Sequence, residues 1–261
     1  MENIWLSLIL SSALAGLAIW RKAITNKGIA LAWICSVCIC YFGGWVNFLC
    51  LAATLICTLV AGKISGKKRE NAEKKLHAKH GKRDAVQIIC NVFMSALMAF
   101  IYGISDNPIF LCASAAALAA SLADSMASEL GILSRGKTFD VLSGKATEPG
   151  MSGGVSFFGF AMSALGAAVI AAISLGQGYG IKFSIVILIS GFVAAYVDSF
   201  LGAAVQAKYR CGVCNALTEK KVHCGEKGAL EKGISFIDND TVNFLNNITG
   251  ALIAIILYSI I

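Results

Sequence analysis

Long apolar runs recur along the whole chain, and they limit its fold more than any other feature of the sequence. Runs such as 4–20, 47–62 and 153–175 are long enough to cross a bilayer as helices. The composition agrees, since 57% of the residues are hydrophobic and only 14% are charged. The sequence therefore predicts an all-α polytopic membrane protein in which residues 1–261 form a single transmembrane domain.

The spacing of the apolar segments predicts about eight transmembrane helices, within a range of six to eight. The expected segments are 4–20, 28–43, 45–62, 86–104, 108–130, 153–175, 181–205 and 242–261. Only Gly43-Gly44 separates the second segment from the third. These two segments therefore form either a hairpin or one broken helix.

Basic residues are concentrated in the intervals that an eight-helix chain places on one side of the membrane. With both termini outside, all of the 22 Lys and Arg residues except Lys182 face the cytoplasm, as the positive-inside rule requires. The predicted cytoplasmic segments are a basic loop (63–85), a glycine-rich loop (131–152) and a Cys/His loop (206–241). The basic residues behind the formal net charge of +7 thus serve to orient the chain in the membrane, and we expect no nucleic-acid partner.

Three segments carry polar stripes at helical spacing where they approach this predicted cytoplasmic face. An ionisable group within a span is costly, and by default it indicates a functional site. The stripes comprise Ser121, Asp124, Ser125, Ser128 and Glu129 on the fifth segment, Asp198, Gly202 and Gln206 on the seventh, and Asp240, Asn243 and Asn247 on the eighth.

Clustered oxygen ligands of this kind suit Mg²⁺, which one or two carboxylates usually hold together with substrate phosphates. Asp124, Asp198 and Asp240 are the predicted Mg²⁺ ligands. The alternative is that these groups reach water at helix ends or form hydrogen bonds between helices.

The stretch "KATEPGMSGGVSFFG", residues 145–159, joins the fifth segment to the sixth. Its glycines at 150, 153 and 154 allow positive φ and close backbone approach, directly before a helix N-terminus that favours anions. Lys145 could add a positive charge, and Arg21 could do the same from the loop after the first segment. Both observations have a simpler alternative, in which the glycines permit helix packing and Arg21 sets the topology.

Seven of the ten cysteines lie within apolar segments and are typical of small buried hydrophobic residues. The other three belong to "CGVCNALTEKKVHCG", in which Cys211-x₂-Cys214 precedes His223-Cys224. This spacing resembles a small Zn²⁺ site. Adjacent ligands can share one ion only in a tight turn, so His223 is the weaker candidate. Plain thiols and redox chemistry are the alternatives.

Five stretches, in this order, resemble the characteristic blocks of a family of integral membrane proteins formerly of unknown function. They are "RKAIT", "ADSMASELG", "GMSGGVSFFG", "DSFLGAAVQAKYRC" and "DNDTVNFLNNITGAL". The family includes the plant phytyl-phosphate kinase of tocopherol synthesis and human transmembrane protein 19. The resemblance covers nearly the whole chain, and it departs at Met151-Ser152, where the family often has Thr-Asn.

The resemblance implies a membrane-embedded isoprenyl-monophosphate kinase. Such an enzyme transfers the γ-phosphoryl group of a nucleotide, here expected to be CTP, to a lipid monophosphate at the cytoplasmic face. It implies catalytic roles for Asp124, Ser128, Glu129 and Asp198, and it extends the glycine block to Ser156. Together with the residues singled out above, the predicted nucleotide- and phosphate-binding set is Arg21, Lys145, Gly150, Gly153, Gly154, Ser156, Asn243 and Asn247.

Other functions stay open at the level of sequence. A transporter or lipid flippase would use the same carboxylates for ion coupling, with charges near the bilayer midplane and an inverted repeat. Another lipid phosphotransferase is less favoured because the chain lacks a D-x₂-D-G-x₂-A-R pattern, and a non-catalytic scaffold is the remaining option. The short loops and the lack of a targeting segment favour a prokaryotic plasma membrane, and the oligomeric state is open.

Overall fold

The computed structural model describes residues 2–76 and 83–261, without the side chains of residues 73–75. This part of the chain contains the helices α1 (Ile4–Trp20), α2 (Asn26–Leu76), α3 (Ala85–Ser105), α4 (Pro108–Gly131), α5 (Phe157–Gly176), α6 (Gly180–Ala204) and α7 (Asn239–Ile260). Six of these seven are long and apolar enough to cross a membrane, and α1 is a shorter apolar helix. The predicted all-α polytopic membrane fold is confirmed.

Polar side chains define where several helices begin. The Asp84 carboxylate accepts a hydrogen bond from Gln87 N, and the Gln87 side chain accepts one from Asp84 N, which completes a capping box at α3. Asn107 caps α4 ahead of a proline at its first position. The side chains of Ser156 and Asp238 also act as caps, because each accepts a hydrogen bond from a backbone amide in the first turn of α5 or α7.

Helix α2 contains a hairpin at Gly44, where φ is 75° and ψ is −177°. Arg83 and Glu129 lie at the same end of the helical bundle, where both line one cavity. The parts of α2 before and after Gly44 both reach that end, where Gly28 lies near Arg83 and Gly62 lies near Glu129. Between them, Gly43 lies near Ala99 at the opposite end. The second and third apolar segments are therefore antiparallel spans, and glycine is the residue that tolerates this reversal.

A second break in α2 occurs at Gly66, where φ is 49°. Beyond it the helix continues to Leu76, so the first half of the predicted basic loop is helical. Residues 77–82 of that loop lie outside the described residues.

Helix α4 occupies the centre of the bundle and packs against α2, α3, α5, α6 and α7. Residues 113–120 of α4 are completely buried. Glycines of three neighbouring helices lie directly on this surface, and a Cβ atom at each would come within 2.9 Å of α4 atoms: Gly166 at Ala123, Gly191 at Ala119, and Gly250 at Ala120. Small residues on both sides thus allow close approach of the backbones, which van der Waals contact then stabilises.

Short strands connect the helices at one end of the bundle. They are β1 (Phe139–Asp140), β2 (Gly154–Val155), β3 (Lys208–Arg210), β4 (Leu217–Thr218), β5 (Val222–His223), β6 (Glu226–Lys227) and β7 (Ala229–Lys232). All pairings are antiparallel, with β1 on β2, the order β4-β3-β7, and β5 on β6. We refer to residues 206–238, which contain β3–β7, as the β lobe.

The connections that carry most of the basic residues meet at this same end. Ile24 pairs with Arg83, and the carbonyl oxygen of Leu76 accepts hydrogen bonds from Thr218 Oγ1 and Glu219 N in the β lobe. Lys182 lies at the opposite end, 4.6 Å from the centre of the Tyr258 ring. This arrangement agrees with the predicted topology, in which the cytoplasmic location of the basic end stays a prediction.

Candidate functional site

A polar cavity of about 200 Å³ lies where α2, α4 and α6 end and α5 and α7 begin. Most of the predicted site residues line it, although they come from separate parts of the chain. Those residues are Asp124, Ser128, Glu129, Gly150, Gly153, Gly154, Ser156, Asp198 and Asn243.

The carboxyl groups of Asp124 on α4 and Asp198 on α6 line this cavity and lie close enough to influence each other electrostatically. The Oδ1 atom of Asp198 is buried and has no hydrogen-bond partner among the described residues. Two carboxylates this close repel each other when both are charged, and a nearby positive charge reduces that repulsion. An unpartnered oxygen beside a second carboxyl group is a donor set that fits a hard divalent cation.

Two arginines that the sequence interpretation assigned to topology also line the cavity. The Arg69 Nη1 atom donates to the Ser128 carbonyl oxygen at 3.2 Å, and Arg83 Nη2 donates to Ser125 Oγ at 3.4 Å. Both guanidinium groups attract the Asp124 carboxylate. Within the basic run 63–83 these are the two arginines among seven lysines. Arginine at these two positions could have indicated a phosphate site in the sequence, because a planar guanidinium binds phosphate with two hydrogen bonds.

Glu129 lies at the edge of the cavity, one helical turn beyond Ser125. Its Oε2 atom is 3.7 Å from Arg69 Nε and accepts a hydrogen bond from Ser65 Oγ at 3.3 Å. Both partners belong to α2. Glu129 therefore joins the end of the hairpin to α4 and holds Arg69 at the cavity.

The glycine turn, residues 150–154, forms another wall of the cavity. Gly150 and Gly153 have φ values of 92° and 80°, which side chains other than glycine rarely adopt. A Cβ atom at Gly153 would lie 2.5 Å from the Ala203 backbone. The turn leads into α5, where Ser156 Oγ accepts a hydrogen bond from Gly159 N at 3.1 Å. The N-terminus of α5 thus faces the same cavity as the carboxyl pair and favours an anion there.

Ser152 connects this glycine turn to the β lobe. Its carbonyl oxygen accepts from Lys208 Nζ at 2.7 Å, and its Oγ accepts from Gln206 Nε2 at 3.0 Å. Its amide donates to Glu219 Oε1 at 3.0 Å. Burial lowers the pKa of Lys208, although the nearby Glu219 carboxylate opposes this shift. Three hydrogen bonds thus fix the turn at Met151-Ser152, where the chain departs from the family pattern.

A second cavity of about 290 Å³ adjoins the polar one and is mainly apolar. It lies between α1, the α2 hairpin and α3, with walls that include Leu14 and Leu55. Arg83, Asn91 and Glu129 line both cavities. The two spaces are therefore neighbours that meet at a charged boundary.

The four predicted Zn²⁺ ligands come together in the β lobe. The ligand atoms of Cys211, Cys214, His223 and Cys224 lie within 4.8 Å of one another. Hydrogen bonds from the Cys214 amide and from His223 lower the pKa of Cys211 to about 6. The thiol groups of Cys214 and Cys211 raise the pKa of the exposed Cys224 to about 11. One thiolate and one thiol that keeps its proton are thus expected in the metal-free cluster.

Four predicted residues do not line the polar cavity. Arg21 lies 5.5 Å from the centre of the Trp20 ring, and Lys145 is exposed between β1 and β2. Asp240 is buried in the first turn of α7, and buried Asn247 donates to the carbonyl oxygen of Asn243. The roles assigned to these four stay predictions, and the cavity residue at the start of α7 is Asn239 instead of Asp240.

Comparison with known proteins gives matches over nearly the full length. The model of a family described as integral membrane protein DUF92 matches residues 9–251. An uncharacterized membrane protein of Synechocystis sp. is 27% identical over 261 residues, which cover 96% of this chain and 90% of that protein. One of Methanocaldococcus jannaschii is 23% identical over 258 residues, covering 98% and 94%. No solved structure matches the chain. These matches confirm the resemblance to an integral membrane family that the five motifs indicated.

Proposed function

We propose that this chain, which belongs to the DUF92 family of integral membrane proteins, is an isoprenyl-monophosphate kinase. It transfers the γ-phosphoryl group of a nucleoside triphosphate, with CTP as the favoured donor, to a lipid monophosphate. One observation carries the proposal: a polar cavity with paired carboxyl groups adjoins an apolar cavity, and arginine lies at their boundary.

The carboxyl pair supports the part of the proposal that concerns metal-dependent phosphate chemistry. Asp124 and Asp198 are the residues that would hold Mg²⁺, since their proximity and the unpartnered Asp198 oxygen favour a bound cation. A bound magnesium ion neutralises phosphate oxygens in phosphoryl transfer. Asn239 and Asn243 supply further polar groups to the same wall.

Other residues that line the same cavity offer positive groups for phosphate. Arg69 and Arg83 provide guanidinium donors, and the glycine turn with the start of α5 provides backbone amides. Phosphoryl transfer depends on positioning and charge neutralisation much more than on covalent help from the enzyme. This combination of groups fits that requirement.

The adjoining apolar cavity supports a lipid acceptor. An isoprenyl phosphate has a long apolar chain and a charged head, and it matches an apolar space that meets a polar one. In this assignment the chain lies between α1, the α2 hairpin and α3, while Arg83 contacts the head group at the boundary.

The reaction needs no strong general base. A phosphate oxygen of the lipid attacks the γ-phosphorus, a new P–O bond forms, and the bond from the γ-phosphorus to the bridging oxygen breaks. The nucleoside diphosphate leaves with the electron pair. Because the attacking oxygen is already anionic, the residues of the cavity bind and orient both phosphates and exclude water.

The position of the carboxyl pair favours a kinase over a transporter. Asp124 and Asp198 lie within two helical turns of the ends of α4 and α6, at the end of the bundle that carries the β lobe. A transport site is expected near the midplane, between repeats.

The test uses protein purified in detergent with Mg²⁺. Phytyl, farnesyl and geranylgeranyl monophosphates are each supplied with CTP, ATP, GTP or UTP, and mass spectrometry detects the lipid diphosphate. We expect diphosphate from the wild type and its loss in Asp124→Asn. Asp106→Asn is the matched control, because Asp106 is exposed at the opposite end of the bundle.

Absence of turnover with every pair, in protein whose thermal unfolding is cooperative, would overturn the kinase assignment. Ion-dependent lipid or solute flux in liposomes that Asp124→Asn abolishes would then establish the transporter alternative.

A further inference from the structure

The Cys/His cluster of the β lobe has the geometry of an assembled metal site. Cys214 Sγ and Cys224 Sγ lie 3.4 Å and 3.3 Å from His223 Nδ1. Sulfur and nitrogen ligands on one tetrahedral Zn²⁺ lie about 3.6 Å apart, given Zn–S and Zn–N bonds of about 2.3 and 2.0–2.1 Å. The side chains therefore already stand near the separation that the ion imposes.

Neighbouring residues can both act as ligands here because the backbone makes a tight turn between them and the next strand. Cys224 has φ of 54° and Gly225 has φ of 82°, in the connection from β5 to β6. A left-handed cysteine is uncommon and is strained unless its surroundings fix it. This conformation directs the thiol of Cys224 to the same point as the His223 ring.

The cluster joins two turns of the β lobe that are separate in the sequence. Cys211 and Cys214 lie in the turn from β3 to β4, whereas His223 ends the β5 strand and Cys224 begins the turn to β6. The β5 and β6 strands contain two residues each and pair only with each other, and an isolated pair of such short strands is marginal in water. A disulfide would pair two of the three thiols and leave the third and the imidazole unused.

We propose that Cys211, Cys214, His223 and Cys224 bind one structural Zn²⁺ that fixes the β lobe and thereby positions the glycine turn of the polar cavity. The connection is short. Lys208 and Glu219, on either side of the Cys211–Cys214 turn, hold the backbone of Ser152. The four proposed ligands, Cys211, Cys214, His223 and Cys224, do not line the polar cavity. They act on it by positioning Ser152. This inference does not depend on the kinase activity.

Metal analysis tests the binding site directly. Protein purified without chelator is expected to contain about one zinc per chain, and Cys211→Ser and Cys224→Ser are expected to lose it. Cys57→Ser, in a membrane-spanning segment, is the matched control and keeps the metal. His223→Cys preserves a four-ligand set and retains zinc, whereas His223→Ala does not. Cobalt exchanged into the wild type gives the absorption of a tetrahedral thiolate complex.

Hydrogen exchange tests the positioning role without any activity assay. After chelation of the wild type, the Ser152 amide and residues 150–154 are expected to exchange at least tenfold faster, and added Zn²⁺ restores protection. Exchange within α4 is expected to stay unchanged, which shows that the bundle remains folded. Substoichiometric metal that is unaffected by the Cys→Ser variants overturns the site. Unchanged protection at Ser152 after full metal removal overturns the positioning role.

Discussion

The carboxyl group of Asp124 on α4 lies beside that of Asp198 on α6 in the polar cavity. The two carboxyl groups lie close together because α4 and α6 approach each other closely. More than one helical turn before the two aspartates, Gly191 of α6 packs on Ala119 of α4. Small residues in the span therefore determine the separation of the acidic groups at its end.

Asp198→Asn is expected to stabilise the fold in Mg²⁺-free detergent by about 1 kcal/mol, because it replaces one of two competing acids with a neutral hydrogen-bonding group. The same variant is expected to lose activity by about 10²-fold or more, as is typical when a group that supports charge stabilisation at the reacting centre is removed, because Asp198 would hold Mg²⁺. Thermal unfolding and diphosphate formation measure the two effects. A lower melting temperature without Mg²⁺ would contradict the like-charge interpretation, and Asp106→Asn should change neither quantity.

Arg83→Lys is expected to raise KM for the lipid phosphate by about tenfold, equivalent to about 1.4 kcal/mol. Lysine keeps the charge but cannot form the planar pair of hydrogen bonds that guanidinium offers to phosphate. Steady-state kinetics with varied lipid measure this change. Arg135→Lys, at an exposed position outside the cavity, is the control. Equal KM values in the two variants would exclude Arg83 from head-group binding.

Ala32→Phe is expected to shift substrate preference toward shorter prenyl chains, because Ala32 lines the apolar cavity and a phenyl ring there fills part of its length. Relative kcat/KM for farnesyl and phytyl monophosphates measures the shift. Ala30→Phe places the same ring on the exposed side of the same helix and should leave the ratio unchanged. An unaltered ratio in both variants would show that the chain binds elsewhere.

Gly153→Ala is expected to destabilise the protein by about 3 kcal/mol and to abolish activity, since it adds left-handed strain to a clash with Ala203. Gly144→Ala is the matched comparison, because Gly144 also has positive φ, 65°, but has open space around it. It should cost only the conformational strain, about 1–2 kcal/mol. Melting temperatures of the two variants give the difference, and equal values would mean that the turn can move away from α6.

Gly250→Val is expected to lower the stability by about 1–3 kcal/mol, because a Cβ atom at Gly250 would lie 2.8 Å from Ala120 Cβ. Gly16→Val in α1 meets no atom within 4 Å and should change stability by no more than about 0.5 kcal/mol. Thermal unfolding in detergent measures both. A tolerated valine at 250 would show that α7 can separate from α4 at little cost.

The helices were predictable because a run of apolar residues long enough to cross a bilayer has few alternatives to a helix. The hairpin at Gly44 was not, since two glycines permit a reversal without requiring one, and contacts such as Gly43 with Ala99 decide it. The strands of the β lobe are two to four residues long, too short for an alternating pattern to be visible.

The candidate site was predictable where spacing along one helix brought polar groups together, as for Asp124 and Ser128. Residues in loops were harder to place, because their position depends on the path of the backbone. Arg69 and Arg83 reach the cavity although they belong to a run that topology alone explains, whereas Lys145 and Arg21 do not line it. Asp240 stands one position along α7 from the lining residue Asn239, and its role as a Mg²⁺ ligand stays a prediction.

Within α4, 83% of an apolar stretch of 18 residues is buried inside the protein, so the bilayer has little influence on which residues this helix can carry. A lipid-facing position accepts almost any apolar side chain, but residues 113–120 accept only those that fit between neighbouring backbones. Divergence among relatives should therefore follow two different rules. Lipid-facing helices should vary freely in size at constant hydropathy, and α4 should hold side-chain volume constant even where the chemical type changes.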